Sequence, residues 1–373
     1  MVETKRLGDI ATYINGYAFK PDDWCKEGLP IVRIQDLTGT SYQQNYYKGD
    51  YPAKIEINDG DVLISWSASL GVHIWDRGKA LLNQHIFKVV FDKVEVDKQY
   101  FVYAVQYNLE NMLSKMHGAT MKHIVKKDFD NIEVPFPTLV EQKRVASILA
   151  YAKDAIEDRK QQLTKLDNLV KSRFVEMFGD PVLNSYDQPE ATLPDLGEFG
   201  RGVSKHRPRN DPKLLGGNYP LIQTGDIANA ELYISSYNST YSELGLKQSK
   251  MWDKGTLCIT IAANIAKTAI LEFDACFPDS VVGFIANKKT NNIFIHFWFS
   301  FFQEILEAQA PESAQKNINL KILSELKIIV PPIELQNQFA EFVIETYKSK
   351  VAIQAALDKT QLLFDSLMQE YFG

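Results

Sequence analysis

Hydrophobic and polar positions follow two rhythms along the chain. Short β-branched runs bounded by Gly, Asp, Asn and Pro predict strands: "PIVRIQDL", "GDVLISWS", "HIFKVVF" and "NIEVPFP" in the first half, then "PLIQTGDI", "TLCITIAA", "SVVGFIAN" and "LKIIVPP" in the second. One helical stretch sits within each set, "KQYFVYAVQYNLENML" and "IFIHFWFSFFQEIL". After the prolines at 135–137 and 331–332 the rhythm changes to alternating steps of four and three. The first row is Val145, Leu149, Ala152, Ile156, Arg159, Leu163, Leu166, Val170, Arg173 and Met177. The second is Phe339, Val343, Thr346, Lys350, Ile353, Leu357, Thr360, Phe364, Leu367 and Tyr371. Neither row is broken by proline. A four-three seam of this length is that of a coiled coil, and two matched copies predict that the helices pair with each other. Arg159, Arg173 and Lys350 are polar positions that would fix register or touch a further subunit.

The two sets are copies of one unit. "LPIVRIQDL" is echoed by "YPLIQTGDI", matching Pro30 with Pro220 and Asp36 with Asp226. "NDGDVLISWSAS" is echoed by "DKGTLCITIAAN", matching Gly60 with Gly255, and "FDNIEVPFPTLVEQ" by "LSELKIIVPPIELQ". The offset moves from 189 (Leu7 to Leu196) to 195 (Gly60 to Gly255) and settles at 194 (Gln142 to Gln336), as expected when insertions fall in loops. The expected class is α+β, with two duplicated globular domains joined by two long coiled-coil helices; if these pair antiparallel, the two heads sit at opposite ends of a rigid spacer. The expected segments are a head at 1–137, a central helix at 138–180, a second head at 181–331 and a C-terminal helix at 332–373.

Composition narrows the function classes. With 373 residues and 45% hydrophobic content the chain is long enough for several packed cores. Three cysteines at unrelated spacings match no metal site and suit a reducing compartment. The run at 293–302 is too short to span a bilayer and the N-terminus lacks a signal-peptide core, so a cytoplasmic protein is expected. A net charge of −6 argues against a wholly basic coat and leaves room for a local basic groove.

Four features together resemble the specificity (S) subunits of type I restriction–modification systems: "GDVLISWSASLG", "HGATMKHIVKKDFDNIEVPFPTLVEQ", the helix "KQQLTKLDNLVKSRFVEMFGD", and the duplication of the whole. The second copy has Leu335 in place of Glu141 and reads "APESAQKNI" where the first has the "HGAT" turn. The resemblance implies that each head is a target recognition domain reading one half of a split sequence in double-stranded DNA. It implies that the paired helices are a spacer that docks two methyltransferase subunits, with restriction–translocase subunits joining them. S-adenosylmethionine, ATP and Mg would be held by those partners, and no cofactor or catalytic residue by this chain. Two other readings stay open: a coiled-coil adaptor with no DNA partner, and the specificity part of a catalytic restriction–methylation enzyme.

The residues themselves agree with a non-catalytic chain. There is no Asn/Asp-Pro-Pro-aromatic motif to grip a flipped base and no P-loop. Pro278-Asp279 and Glu325-Leu-Lys327 resemble a PD…ExK nuclease pattern, but the first copy has Asn83-Gln84 and Asn131-Ile-Glu133 in their places. The six histidines lack ligand spacing, and His296 in its apolar run is expected to be a satisfied core histidine. DNA backbone contacts need Lys or Arg, and base edges need Arg, Lys, Asn, Gln, Ser or Thr. Two basic stretches supply the first: one with Lys122, His123, Lys126 and Lys127, the other with Arg201, Lys205, Arg207 and Arg209. Candidate readers at strand ends are Arg33, Gln35, Ser65, Ser67 and Gln84 in the first head. In the second they are Gln223, Thr224, Asn264, Lys267, Lys316 and Asn317.

Overall fold

A computed structural model describes residues 3–115, 124–262, 265–309 and 318–373. Its chain divides into two compact units: Met1–Arg159 with Ala356–Gly373, and Lys160–Ala355. The long helices are Leu139–Phe178 and Ile333–Phe372, and each gives one half to each unit.

In the first unit a four-stranded antiparallel sheet has the order Thr12–Asn15, Ile86–Val90, Val62–Ser65, Gly71–Ile74. A smaller sheet has the order Asn45–Tyr47, Leu29–Val32, Ala80–Leu82, Glu56–Ile57, with its middle pair parallel. Thr4–Arg6 pairs with Glu133–Pro135 beside the entry to the long helix.

The second unit repeats this plan. Its large sheet runs Gly197–Arg201, Val281–Ala286, Leu257–Thr260, Thr268–Leu271, and gains Tyr233–Ile234 as a parallel edge strand. Its small sheet runs Ser239–Tyr241, Leu215–Leu221, Ala275–Cys276, Met251–Trp252, again with a parallel middle pair. Glu190–Ala191 pairs with Ile328–Ile329. The matched glycines do matched work: Gly60 (φ 86°) and Gly255 (φ 88°) sit in the left-handed region that a side chain would strain. Each donates its N–H at 2.8 Å, to Trp75 and Leu271 respectively.

Strands "VLIS" and "LCIT" are buried along their whole length; three apolar residues lead each, and the closing Ser65 and Thr260 hydroxyls bond the carbonyls of Ser69 and Lys267. Two expected runs stop early. "PIVRIQDL" leaves the strand after Val32 and forms a short helix, Ile34–Thr38; "PLIQTGDI" leaves after Leu221 and forms Thr224–Asn229. The cause is the shared aspartate. Asp36 Oδ2 accepts the N–H of Arg33 and Asp226 Oδ2 that of Gln223, both at 2.8 Å, which closes the first helical turn.

The helix pair is antiparallel, as each unit shows separately. In the first, Arg144 near the start of the central helix lies over the ring of Tyr371 near the end of the C-terminal helix, at 5.9 Å. In the second, Phe174 and Phe178 near the end of the central helix meet Phe339 near the start of the other, at 5.4 and 5.5 Å. Each head also grips a helix end that follows the other head. Tyr100 on the helix Lys98–Lys115 meets Phe372 at 5.2 Å, and its counterpart Phe294 on Asn292–Gln309 meets Phe178 at 5.1 Å. The buried row follows the expected seam through Val145, Leu149, Ala152 and Ile156, but ends on Phe174 and Phe178; on the other helix it ends on Met368 and Phe372. Those positions face head and partner helix together.

Lys350 is the polar seam residue that fixes a position. Its side chain is 11% exposed, and its ammonium bonds Asp167 of the central helix (2.6 Å) and Glu231 of the head (2.8 Å). Burial pulls its pKa down, but the bonds to Asp167 and Glu231 outweigh that and leave it raised. Arg173 instead pairs along its own helix with Glu176, and Arg159 bonds the carbonyl of Ala155.

Candidate nucleic-acid interface

In the second unit the chain leaves strand Gly197–Arg201 into a basic loop with Arg201, Lys205, Arg207, Arg209 and Lys213 against a single acid, Asp211. Arg201, Lys205, Arg207 and Arg209 are all exposed. Gln248 anchors the loop: its Oε1 accepts the N–H of Lys205 at 2.7 Å and of His206 at 3.1 Å. Asp211 is occupied locally. The Lys213 N–H, and then the His206 ring, hold its carboxyl below the usual range.

Asp279 organises the two arginines. Arg209 bonds Oδ1 and Arg207 approaches Oδ2 at 3.5 Å, while Arg207 Nη1 also donates to the carbonyls of Ser204 (2.6 Å) and His206 (2.9 Å). Arg209 lines a cleft of about 280 Å³ with Ser204, Asn210, Gln223, Thr224 and Ser280. The fold thus brings together Arg209, Gln223 and Thr224, which are up to fifteen positions apart in sequence. Lys267 is half-buried at the turn before Thr268, with its backbone bonded to Thr260. Asn264, Lys316 and Asn317 lie outside the described residues.

In the first unit Arg33 is half-buried. It bonds the carbonyl of Gln43 (2.7 Å) and the hydroxyl of Ser41 (3.3 Å), and lies over the Trp24 ring. Gln35 lines a polar cleft of about 270 Å³ with Gly39, Ser41, Tyr42 and Arg77. Arg77, absent from the sequence candidates, donates to the carbonyl of Asp36 at 2.9 Å and stacks over Trp75. Gln84 is exposed and Ser67 half-buried. Ser65 is a correction: it is wholly buried and its hydroxyl donates to Ser69 at 2.6 Å, so it ties a turn and offers nothing to a groove. Lys126 and Lys127 are exposed on the short helix Lys126–Asp130, where Lys126 pairs with Asp130 at 2.8 Å. Lys122 and His123 lie outside the described residues.

The nuclease-like residues are dispersed in separate pairs: Asp279 with the arginines, Glu325 with Lys321, and Lys327 with Glu190. Among the described residues no three His, Cys, Asp or Glu side chains gather as metal ligands. His296 is a buried core residue bonded to Thr268 at 2.9 Å, and burial pushes its pKa down to about 4. No helix among the described residues is long and apolar enough to cross a membrane.

Asp279, Gln248 and Arg77, which organise the candidate loops and clefts, were not legible in the sequence. A Pro–Asp pair, a lone Gln and a lone Arg carry no periodic signal; their roles depend on which loops the sheets bring close.

The whole chain is similar to known proteins. The "type I restriction enzyme EcoBI specificity subunit" of Escherichia coli is 24% identical, over 97% of this chain and 83% of that protein. The solved S subunit of a type I restriction–modification system from M. genitalium superposes with a TM-score of 0.64 at 16% identity, covering 100% of this chain and 96% of that one. A chain solved in work on complex assembly and conformational transition of the type I R-M system gives 0.59 at 15% identity, covering 99% and 97%. These two show the same fold. The family described as "type I restriction modification DNA specificity domain" matches residues 1–167 and again 190–360, so the chain belongs to that family.

Proposed function

We propose that this chain is the DNA specificity subunit of a type I restriction–modification complex, in which each unit reads one half of a bipartite target. The carrying observation is a repeated scaffold with unlike side chains at matched places: Arg33 against Gln223, and Gln84 against Asp279. A fixed frame with changed polar groups is what two different half-sites require. The helix pair is the spacer and the docking surface for two methyltransferase subunits, with restriction–translocase subunits recruited through them. S-adenosylmethionine, ATP and Mg are assigned to those partners. The chain's own work is binding and orientation, in the cytoplasm where its DNA lies.

The test is to map methylated adenines in the host genome with and without this gene. A bipartite motif that disappears with the gene is expected. A motif that persists in its absence would overturn the reading.

A further inference from the structure

We propose that the cleft beside the basic loop of the second unit takes a guanine edge, that Arg209 reads it, and that Asp279 is the positioning residue. This rests on the function proposed above. Arginine is suited to guanine because its planar fork donates two parallel bonds to O6 and N7. A free arginine on a loop would spread over many rotamers and bind phosphate as readily as a base. Here Asp279 holds Nη2 of the guanidinium, and Arg209 lines the cleft beside it. The second oxygen of Asp279 faces Arg207, whose other bonds go to the loop backbone. One carboxylate therefore ties the loop to the sheet and aims Arg209.

A second observation points to an occupant of the same cleft. Ser204 lines it, is 6% exposed, and among the described residues its hydroxyl has no hydrogen-bond partner. A buried hydroxyl is rarely left unpaired unless something else supplies the bond. Gln223 and Thr224, on the same wall, add donors and acceptors of the kind that read purines. The matched position of the first unit is Gln84, so this device belongs to one half-site alone.

The test uses the full chain assembled with its methyltransferase subunits, with methylated motifs mapped for wild type, Arg209→Lys and Asp279→Asn. Arg209→Lys keeps the charge and loses the fork. It should lower methylation about 10–100-fold at sites carrying guanine at one position of one half-site, leaving the other half unchanged. Asp279→Asn should relax the same position, while its tighter, more salt-sensitive binding to unrelated DNA reports the released cations. A motif unchanged in both variants would overturn the assignment, as would a uniform loss that leaves base preference intact. A wild-type complex with no bipartite motif would overturn the function itself.

Discussion

The Thr290 hydroxyl donates a 2.8 Å hydrogen bond to Oε1 of Gln336, and both side chains are buried. The Gln336 amide donates in turn to the carbonyls of Pro331 (2.8 Å) and Lys289 (3.1 Å). Gln142 does the same work in the first unit: it donates to Pro137 at 2.9 Å and accepts the Asp97 N–H at 3.0 Å. The proline–glutamine signature is therefore a buried lock on the exit from strand to long helix. Gln336→Leu leaves a hydroxyl and two carbonyls without partners, and should cost about 2–4 kcal/mol in urea unfolding. Glu141→Leu should leave the midpoint unchanged. Glu141 is half-buried, its side-chain hydrogen bonds among the described residues go to Arg144 of its own helix, and the position is leucine in the second copy.

That contrast shows what could be read from sequence. The repeat, the strands and both long helices were legible, the first because matched segments recur at a near-constant offset and the others because each rests on local patterning. The motif's glutamine was visible as a pattern while its reason was not, since two of its three partners lie 46 and 47 residues away. The seam's last turns depart from the four-three row by one position on each helix. That rhythm describes a helix with one neighbour, but Phe178 and Phe372 each have two. Arg33 and Gln223 stand one and two residues past their strands, and each also caps the short helix that follows. The aspartate three residues on caps each turn, and a single cap leaves no periodic mark.

Lys350 should be sensitive to how it is replaced. Lys350→Ala strands Asp167 and Glu231 opposite a small cavity and should cost about 1–3 kcal/mol, allowing for the half-exposed carboxylates. Lys350→Met fills the volume without a charge and should cost less. The raised pKa means that the lysine's contribution is complete below its unfolded value near 10.4, and is lost only as pH rises through the folded one. Urea midpoints should show no contribution from this residue to pH dependence between about 6 and 9.

His296 predicts the opposite limb. Its folded pKa of about 4 lies below the ordinary value of 6.5, so the unfolded chain binds the proton first as pH falls. Stability from the neutral imidazole is complete above about pH 6.5 and declines toward pH 4, by roughly 3 kcal/mol over the whole window. Measured against His296→Phe at about pH 7.5 and about pH 4.5, the wild type should lose more of its stability. Parallel losses in the two proteins would show that the histidine takes up its proton equally in the folded and unfolded chains, so that burial does not lower its pKa.

The lysines at 122, 126 and 127 form the other candidate backbone-binding stretch. Replacing all three with Gln should weaken duplex binding and reduce the slope of log affinity against log salt, by about 0.9 for each phosphate no longer neutralised. Lys126 already pairs with Asp130, so its share should be the smallest. An unchanged slope would remove this stretch from the interface.

The helices should act as a ruler. At 1.5 Å per residue, one heptad is about 10 Å, or about three base pairs of duplex. Removing residues 155–161 and 354–360 together keeps the seam in phase on both helices and spares the Lys350–Asp167 bond. It also spares the aromatic anchors Phe178 and Phe372, so each head keeps its grip on a helix end. The half-sites should keep their sequences while the gap between them shortens by about three base pairs, read by mapping methylated adenines. An unchanged gap would mean that the spacing is set elsewhere, because no part of either head is altered by the deletion.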